Sequence, residues 1–203
     1  MENKKILAIF GGSFNPPLNS HFSLAEQMLA EYSNIEKVIF VPVGSKYNKK
    51  GLLEDKHRYN MLKIVCDKNE KFEVSDVELI QKEQLNTLET LELMQKQYPD
   101  YELCFTIGTD NLKELSRWTL GKELILKFKI LVIERDKDNI EEIIDNDEWL
   151  SKYKTSFFKI RENIRSNISS TFVREKIKRG KSIRYFTPDE VYFYIKENGL
   201  YNY

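Results

Sequence analysis

The stretch IFGGSFNPPLNSH, Ile9–His21, holds the first residues whose types and spacing could do chemistry. Gly11 and Gly12 end an apolar run, so backbone there can approach a ligand closely. Ser13 and Phe14 follow, and His21, one of 2 histidines, lies where a helical pattern begins. A helix start offers unpaired N–H groups and a positive dipole end, which suit phosphate, and an imidazole there can donate to the same anion. The same residues also suit a tight turn closed by a capping histidine. The G-x-G-x-x-G dinucleotide fingerprint is absent.

Two more constellations have related chemistry. In NISSTFVREKI, the hydroxyls of Ser169, Ser170 and Thr171 open a helix and Arg174 follows about one turn later. Hydroxyls, free N–H groups and a guanidinium then converge on one phosphate-sized place. Ordinary N-capping by Ser or Thr accounts for the hydroxyls equally well. In TIGTDNLKELSRW, Gly108 permits close approach, Asp110 can accept from ribose hydroxyls and Trp118 can stack on a flat ring. The competing account is a strand-to-helix turn with Asp110 as cap and Trp118 in the core.

The elements that must position these residues follow from hydrophobic periodicity. KILAIF, KVIFVPV, KFEVSDVEL, YELCFTIG and FKILVIE read as five strands, with Pro42 near the end of the second. Between them, Phe22, Ala25, Met28, Leu29 and Tyr32 recur at helical spacing, as do Tyr59, Leu62 and Cys66. Leu88, Leu91, Gln95 and Tyr98 mark a helix with Asn86 as N-cap and Glu89 completing a capping box. Strand–helix alternation predicts an α/β fold, a Rossmann-like open parallel sheet flanked by helices, with a small C-terminal helical part. Ligands in such sheets bind beyond the carboxyl ends of the strands, which is where all three constellations fall. The acidic stretch from Asp136 to Trp149 reads as a solvated helix or loop. In the tail, Thr187 is the expected cap, Pro188 the first turn, Glu190 the capping-box partner and Gly199 the terminator.

Composition narrows the function class. The 203 residues carry 32 basic and 32 acidic side chains, and this balance argues against a nucleic-acid partner. Apolar residues at 41% suffice for a core. Cys66 and Cys104 match no ligand spacing and read as reduced core residues, which predicts a cytoplasmic protein. The N-terminal apolar run is too short for a signal-peptide core or a membrane span, so no membrane partner is expected. Ser and His occur without a matched acid, so a hydrolytic triad is poorly supported.

Taken together and in order, GGSFNPPLNSH, PVGSKYNKK, NTLETL, IGTDNLKELSRW and ISSTFVR resemble the nicotinate/nicotinamide mononucleotide adenylyltransferases of the nucleotidyltransferase superfamily. The resemblance implies one nucleotidyltransferase domain over 1–203, with sheet and crossover helices in 1–160 and a C-terminal helical segment bearing ISSTFVR in 161–203. It implies ATP and a pyridine mononucleotide as partners, Mg²⁺ carried on the ATP phosphates, and a homo-oligomer as one option. It places Gly11, Gly12, Ser13, Phe14, His21, Gly108, Asp110, Ser169, Ser170, Thr171 and Arg174 around ATP, with His21 and Arg174 catalytic. Lys49, Thr87 and Trp118 fall to the mononucleotide. Other readings of the same fold are a non-catalytic nucleotide-binding module and a nucleotidyltransferase for another phosphorylated acceptor.

The sequence departs from the family's HxGH-type motif. Leu18 stands where the first His is usual, Ser20 replaces the Gly, and Asn15 replaces a frequent Asp. Leu18 lacks a donor, which predicts a missing phosphate contact worth about 2.7–4 kcal/mol of transition-state stabilisation. Asn15 takes a negative charge away from the phosphates. His57 reads as a helix-surface residue, with the mononucleotide site as the other option for His57 or Arg58.

Overall fold

A computed structural model describes residues 5–46, 50–135, 137–160 and 166–202. Its centre is a parallel sheet of six strands: β1 (Ile6–Gly12), β2 (Ile35–Pro42), β3 (Phe72–Val74), β4 (Glu102–Gly108), β5 (Lys129–Ile133) and β6 (Phe157–Lys159). Their order is β3-β2-β1-β4-β5-β6. The chain thus winds outward one way from β1 and then returns to its other side at β4. That reversal opens a crevice between the carboxyl ends of β1 and β4. Register sets what lines it. Gly12 lies beside Pro42 of β2, and Gly108 lies beside Ile133 of β5.

Alternating side chains cover both sheet faces, which is why the strands read as continuous apolar runs. On one face Leu7, Ile9, Leu103, Ile107, Ile130 and Val132 pack under α3 (Thr87–Gln97), α4 (Thr109–Glu114) and α5 (Gly121–Lys127). On the other, Ala8, Phe10, Phe40 and Cys104 meet Phe22, Ala25 and Met28 of α1 (Asn19–Glu31) and Leu62 and Cys66 of α2 (Asp55–Cys66). Both cysteines are buried and unpaired, as read from the sequence. A third cluster joins Leu18 and Met61 to Val173 of α8 (Ser170–Lys178) and to Val191 and Ile195 of α9 (Asp189–Glu197). The C-terminal helices are therefore fastened to the start of α1.

Several elements differ from the periodicity reading. The third strand stops at Val74, because Asp76 O accepts from Leu79 N and Ile80 N and turns the chain. β6 has three residues and pairs only with β5, too short for an alternation pattern to show. The acidic stretch forms α6 (Ile140–Asn146) and α7 (Glu148–Ser151), with Ile140 and Ile144 buried in the core. Thr187 does not cap α9: its hydroxyl is buried without a hydrogen-bond partner, and Pro188 occupies the cap position. Gly199 does end that helix, at φ +59°. Among the described residues no helix is long and apolar enough to cross a membrane.

Candidate active site

The loop leaving β1 folds back on itself. Phe14 holds φ +43°, a left-handed conformation costly for a residue with a side chain, on the order of 1–3 kcal/mol. Edge-on ring contacts to Phe10 at 5.8 Å, Phe40 at 5.7 Å and His21 at 5.1 Å hold it there. Gly12 permits the fold-back, since a Cβ on it would lie 3.1 Å from the Phe14 ring.

His21 sits in the first turn of α1, half-buried between Phe10 and Phe14. The main-chain N–H of Leu18 donates to its Nδ1 at 2.9 Å. Nδ1 is thereby an acceptor, so the ring proton of the neutral imidazole resides on Nε2. Burial, with a smaller contribution from the Arg135 charge, pushes its pKa down to about 4. At neutral pH His21 is therefore an uncharged Nε2–H donor. The capping role and the anion-directed role are both present in one ring, one on each nitrogen.

The hydroxyl-rich turn packs against this loop. Arg174 Nη1 donates to Asn15 O at 2.7 Å, and Ser170 Oγ donates to Pro16 O at 2.8 Å. Arg174 Nη2 also donates to Thr171 Oγ1 at 3.1 Å. Ser169 is the N-cap of α8, accepting from Phe172 N at 3.1 Å. Capping thus accounts for Ser169, while Ser170 and Arg174 weld α8 to the loop before His21. Two segments more than 150 residues apart in the chain are joined, as the sequence separations of 154 and 159 residues record.

Leu18 and Asn15 point away from the role their positions suggested. The Leu18 side chain is 1% exposed and belongs to the cluster with Val173, Val191, Ile195 and Leu200. It holds α1 against the C-terminal helices. Asn15 is 2% exposed. Its Nδ2 donates to Gly51 O at 2.9 Å, and its Oδ1 accepts from Tyr201 Oη at 2.8 Å. An aspartate would supply no donor for Gly51, so the amide has a structural use here. Arg58 also turns inward, fully buried, donating to Ser13 O at 3.1 Å, Val43 O at 2.6 Å and Leu53 O at 2.9 Å while paired with Asp55. It braces the loop from behind instead of facing a ligand. His57 is half-buried, with Nδ1 3.0 Å from Tyr194 Oη, and is not a plain surface residue.

On the other side of the glycines lies a cleft of about 590 Å³, lined by Gly11, Gly12, Thr87, Phe105, Asn111 and Trp118 among others. Thr87 is the first residue of α3, whose Asn86–Glu89 capping box forms as the sequence predicts. Trp118 is half-buried at the rim, its ring packed against the core. Asp110 lies in the first turn of α4 and is exposed, with Arg135 Nη1 3.4 Å from its Oδ2. Gly108 allows the crowding, because a Cβ would lie 2.6 Å from Arg135 Nε and would also clash with Asp110. Sequence reasoning missed Arg135 and Asn111. The position of Arg135 two residues beyond the end of β5 was a usable signal. Lys49 lies outside the described residues.

A sheet that reverses at β1 and β4, with a donor imidazole and a guanidinium-bearing helix beside that reversal, defines a nucleotidyltransferase-type α/β protein. The cytidylyltransferase-like family model matches residues 9–176. A Clostridium tetani protein named "Probable nicotinate-nucleotide adenylyltransferase" is 34% identical over 96% of this chain and 98% of its own length. A Lachnoclostridium phytofermentans protein of the same name is 35% identical over 96% and 98%. In structure, the Plasmodium falciparum nicotinic acid mononucleotide adenylyltransferase complexed with NaAD superposes with a TM-score of 0.77 at 24% identity, covering 97% of each chain, which shows the shared fold. The chain belongs to the cytidylyltransferase-like family and, within it, to the nicotinate-nucleotide adenylyltransferases. It is an enzyme of the nucleotidyltransferase class.

Nucleotidyltransferases of this kind generally use a divalent metal with ATP. Among the described residues no group of three or more His, Cys, Asp or Glu side chains could hold a metal ion. The site's donors are N–H groups, hydroxyls and guanidinium groups. Such a set suits an ion carried on phosphate oxygens and hydrated elsewhere.

Proposed function

We propose that the protein transfers the adenylyl group of ATP to nicotinate mononucleotide, releasing pyrophosphate and forming the dinucleotide in NAD biosynthesis. The observation that carries this reading is the weld between the Asn15–Pro16 loop and α8. It ties the loop leading into His21 to the helix bearing Arg174, which supports one shared anion site beside the crevice. The near full-length identity to proteins named for this reaction supports the choice of acceptor.

In this proposal the Nε2–H of His21 donates to the α-phosphate side of ATP. The first-turn N–H groups of α8, with Thr171 and Arg174, hold the β- and γ-phosphates. Gly11, Gly12, Ser13 and Phe14 shape the path of the chain under the phosphates. Gly108 and Asp110 face the adenosine, with Asp110 accepting from the ribose hydroxyls. The mononucleotide occupies the cleft, its pyridine ring against Trp118 and its carboxylate by the α3 start at Thr87. The acceptor's own phosphate oxygen is the nucleophile, so the protein needs to orient two anions and disperse charge, with no covalent intermediate. Mg²⁺ on the triphosphate would supply further charge neutralisation. No protein carboxylate is needed to hold it there.

The test is pyrophosphate release from purified protein with ATP and Mg²⁺, offered nicotinate mononucleotide, nicotinamide mononucleotide, or another phosphorylated acceptor, with CTP replacing ATP in a parallel arm. Turnover with ATP and nicotinate mononucleotide is expected. Preference for CTP, or for a non-pyridine acceptor, would refute the assignment.

A further inference from the structure

One wall of the cleft contains a carboxylate that no chemistry above uses. Glu78 follows β3 and lines the cleft with Val43, Gln84, Thr87 and Thr90. Thr90 Oγ1 donates to Glu78 Oε1 at 2.9 Å, and Gln84 Nε2 lies 3.5 Å from Oε2. The main chain of Gly44 closes on the same residue, since a Cβ on Gly44 would lie 2.8 Å from Glu78 O. The contacts come from three separate stretches: the connection after β2, the approach to α3, and α3 itself. A carboxylate accepts on both oxygens and donates nothing, so it can gather the Thr90 hydroxyl and the Gln84 amide at once. Burial pushes the Glu78 carboxyl up, while the polar groups of Thr90, Gln84 and Gly44 and the charge of Arg58 on α2 oppose that rise.

We infer that Glu78 is a positioning residue for the acceptor mononucleotide: it fixes the Gly44 turn and the α3 start, with Thr87, at the spacing that seats the pyridine end of the substrate. The inference rests on the function proposed above. Glu78 does not touch the reacting atoms; it acts through Thr90, Gln84 and Gly44. Glutamine has one acceptor oxygen and one donor group in place of two acceptors. Turned toward Gln84, the new N–H would face another N–H; turned toward Thr90, it would reverse the bond that the hydroxyl now donates, and in either case the charge-assisted part of the anchor is lost.

The experiment compares wild type with Glu78→Gln, measuring KM for each substrate, kcat and Tm on the full chain. The expected result is a KM for nicotinate mononucleotide raised roughly tenfold, with KM for ATP and kcat within about twofold. Thr90→Val removes the donor from the opposite side, and the double variant should cost less than the two single changes combined. The climb of the mononucleotide KM as pH falls should be shallower in Glu78→Gln than in wild type, the titration of the substrate's own phosphate being common to both. A variant with a lowered Tm but an unchanged mononucleotide KM would make Glu78 merely structural and overturn the inference. If Glu78→Gln does not fold, Thr90→Val alone decides by the same KM split. Failure of wild type to use the mononucleotide would bring down the functional reading and this inference together. An active wild type with an indifferent variant would bring down this inference alone.

Discussion

The guanidinium of Arg174 donates to the main-chain oxygen of Asn15 at 2.7 Å. An acceptor on the loop after β1 is thus held by a donor from the C-terminal helices. A main-chain carbonyl cannot be altered by substitution, so this half of the weld is probed at residue 174, the other half being the bond from Ser170 Oγ to Pro16 O. Replacing Arg174 with Met should remove that half of the weld and a phosphate-facing charge. The expected loss in kcat/KM for ATP is roughly a hundredfold to a thousandfold, equivalent to about 3–4 kcal/mol. Lysine at this position should recover only a small part, since it has no fork to reach Asn15 and Thr171 together. Steady-state kinetics on both variants checks this, and full rescue by lysine would contradict it.

His21 has one nitrogen for the fold and one for the ligand. His21→Ala should therefore abolish turnover and also lower stability by about 1 kcal/mol through loss of the bond from Leu18 N. Asparagine can offer its amide oxygen where Nδ1 stands but nothing where Nε2 stands. His21→Asn should then regain the Tm while remaining inactive. Turnover in the asparagine variant above about a tenth of wild type would show that Nε2 does not take part.

The same ring links stability to acidity. Its folded-state pKa of about 4 lies below the ordinary 6.5, so between those values the unfolded chain takes up a proton that the folded one refuses. Stability should be unaffected by this group above about pH 7 and fall as pH drops from about 6.5 toward 4, by up to about 3 kcal/mol. Urea unfolding of wild type and His21→Asn across that range isolates the effect, because other groups cancel in the difference. A constant gap between the two curves would mean that burial of the imidazole carries no such penalty.

Restoring the motif residue at position 18 should harm this protein. Leu18→His would place a polar ring in the cluster of Val173, Val191, Ile195 and Leu200, at a cost of roughly 2–3 kcal/mol. A melting temperature lower by several degrees is expected, without any gain in kcat. A faster enzyme with an unchanged Tm would mean that the position still faces the phosphates.

Trp118 separates the two substrates. Trp118→Ala should raise the KM for the mononucleotide about tenfold, in keeping with about 1–3 kcal/mol for a ring stacked on an aromatic side chain. Trp118→Phe should recover most of it, and the KM for ATP should be unchanged in both. Equal shifts for the two substrates would place the indole outside the acceptor site.

Much of the molecule was determined by local sequence. The strand and helix periods gave β1, β2, β4, β5 and the helices α1, α2 and α3, because a sheet buried on both faces demands continuous apolar runs and its crossovers demand a 3.6 period. Asn86 with Glu89, and Gly199, declared helix ends through short-range hydrogen bonding and backbone freedom that any context preserves. β6 and the early end of β3 escaped because an edge strand of three residues has too few side chains to show a pattern. What a side chain faces was decided only in three dimensions. Leu18 could be read as a missing donor until Val173 and Val191 arrived from the far end of the chain to enclose it. Arg58, Asn15 and Glu78 show no charge pattern along the chain, yet each gathers contacts from segments remote in sequence. Local energetics choose helix, strand and turn, whereas the site depends on which distant surfaces meet, and that is set by packing the whole chain at once.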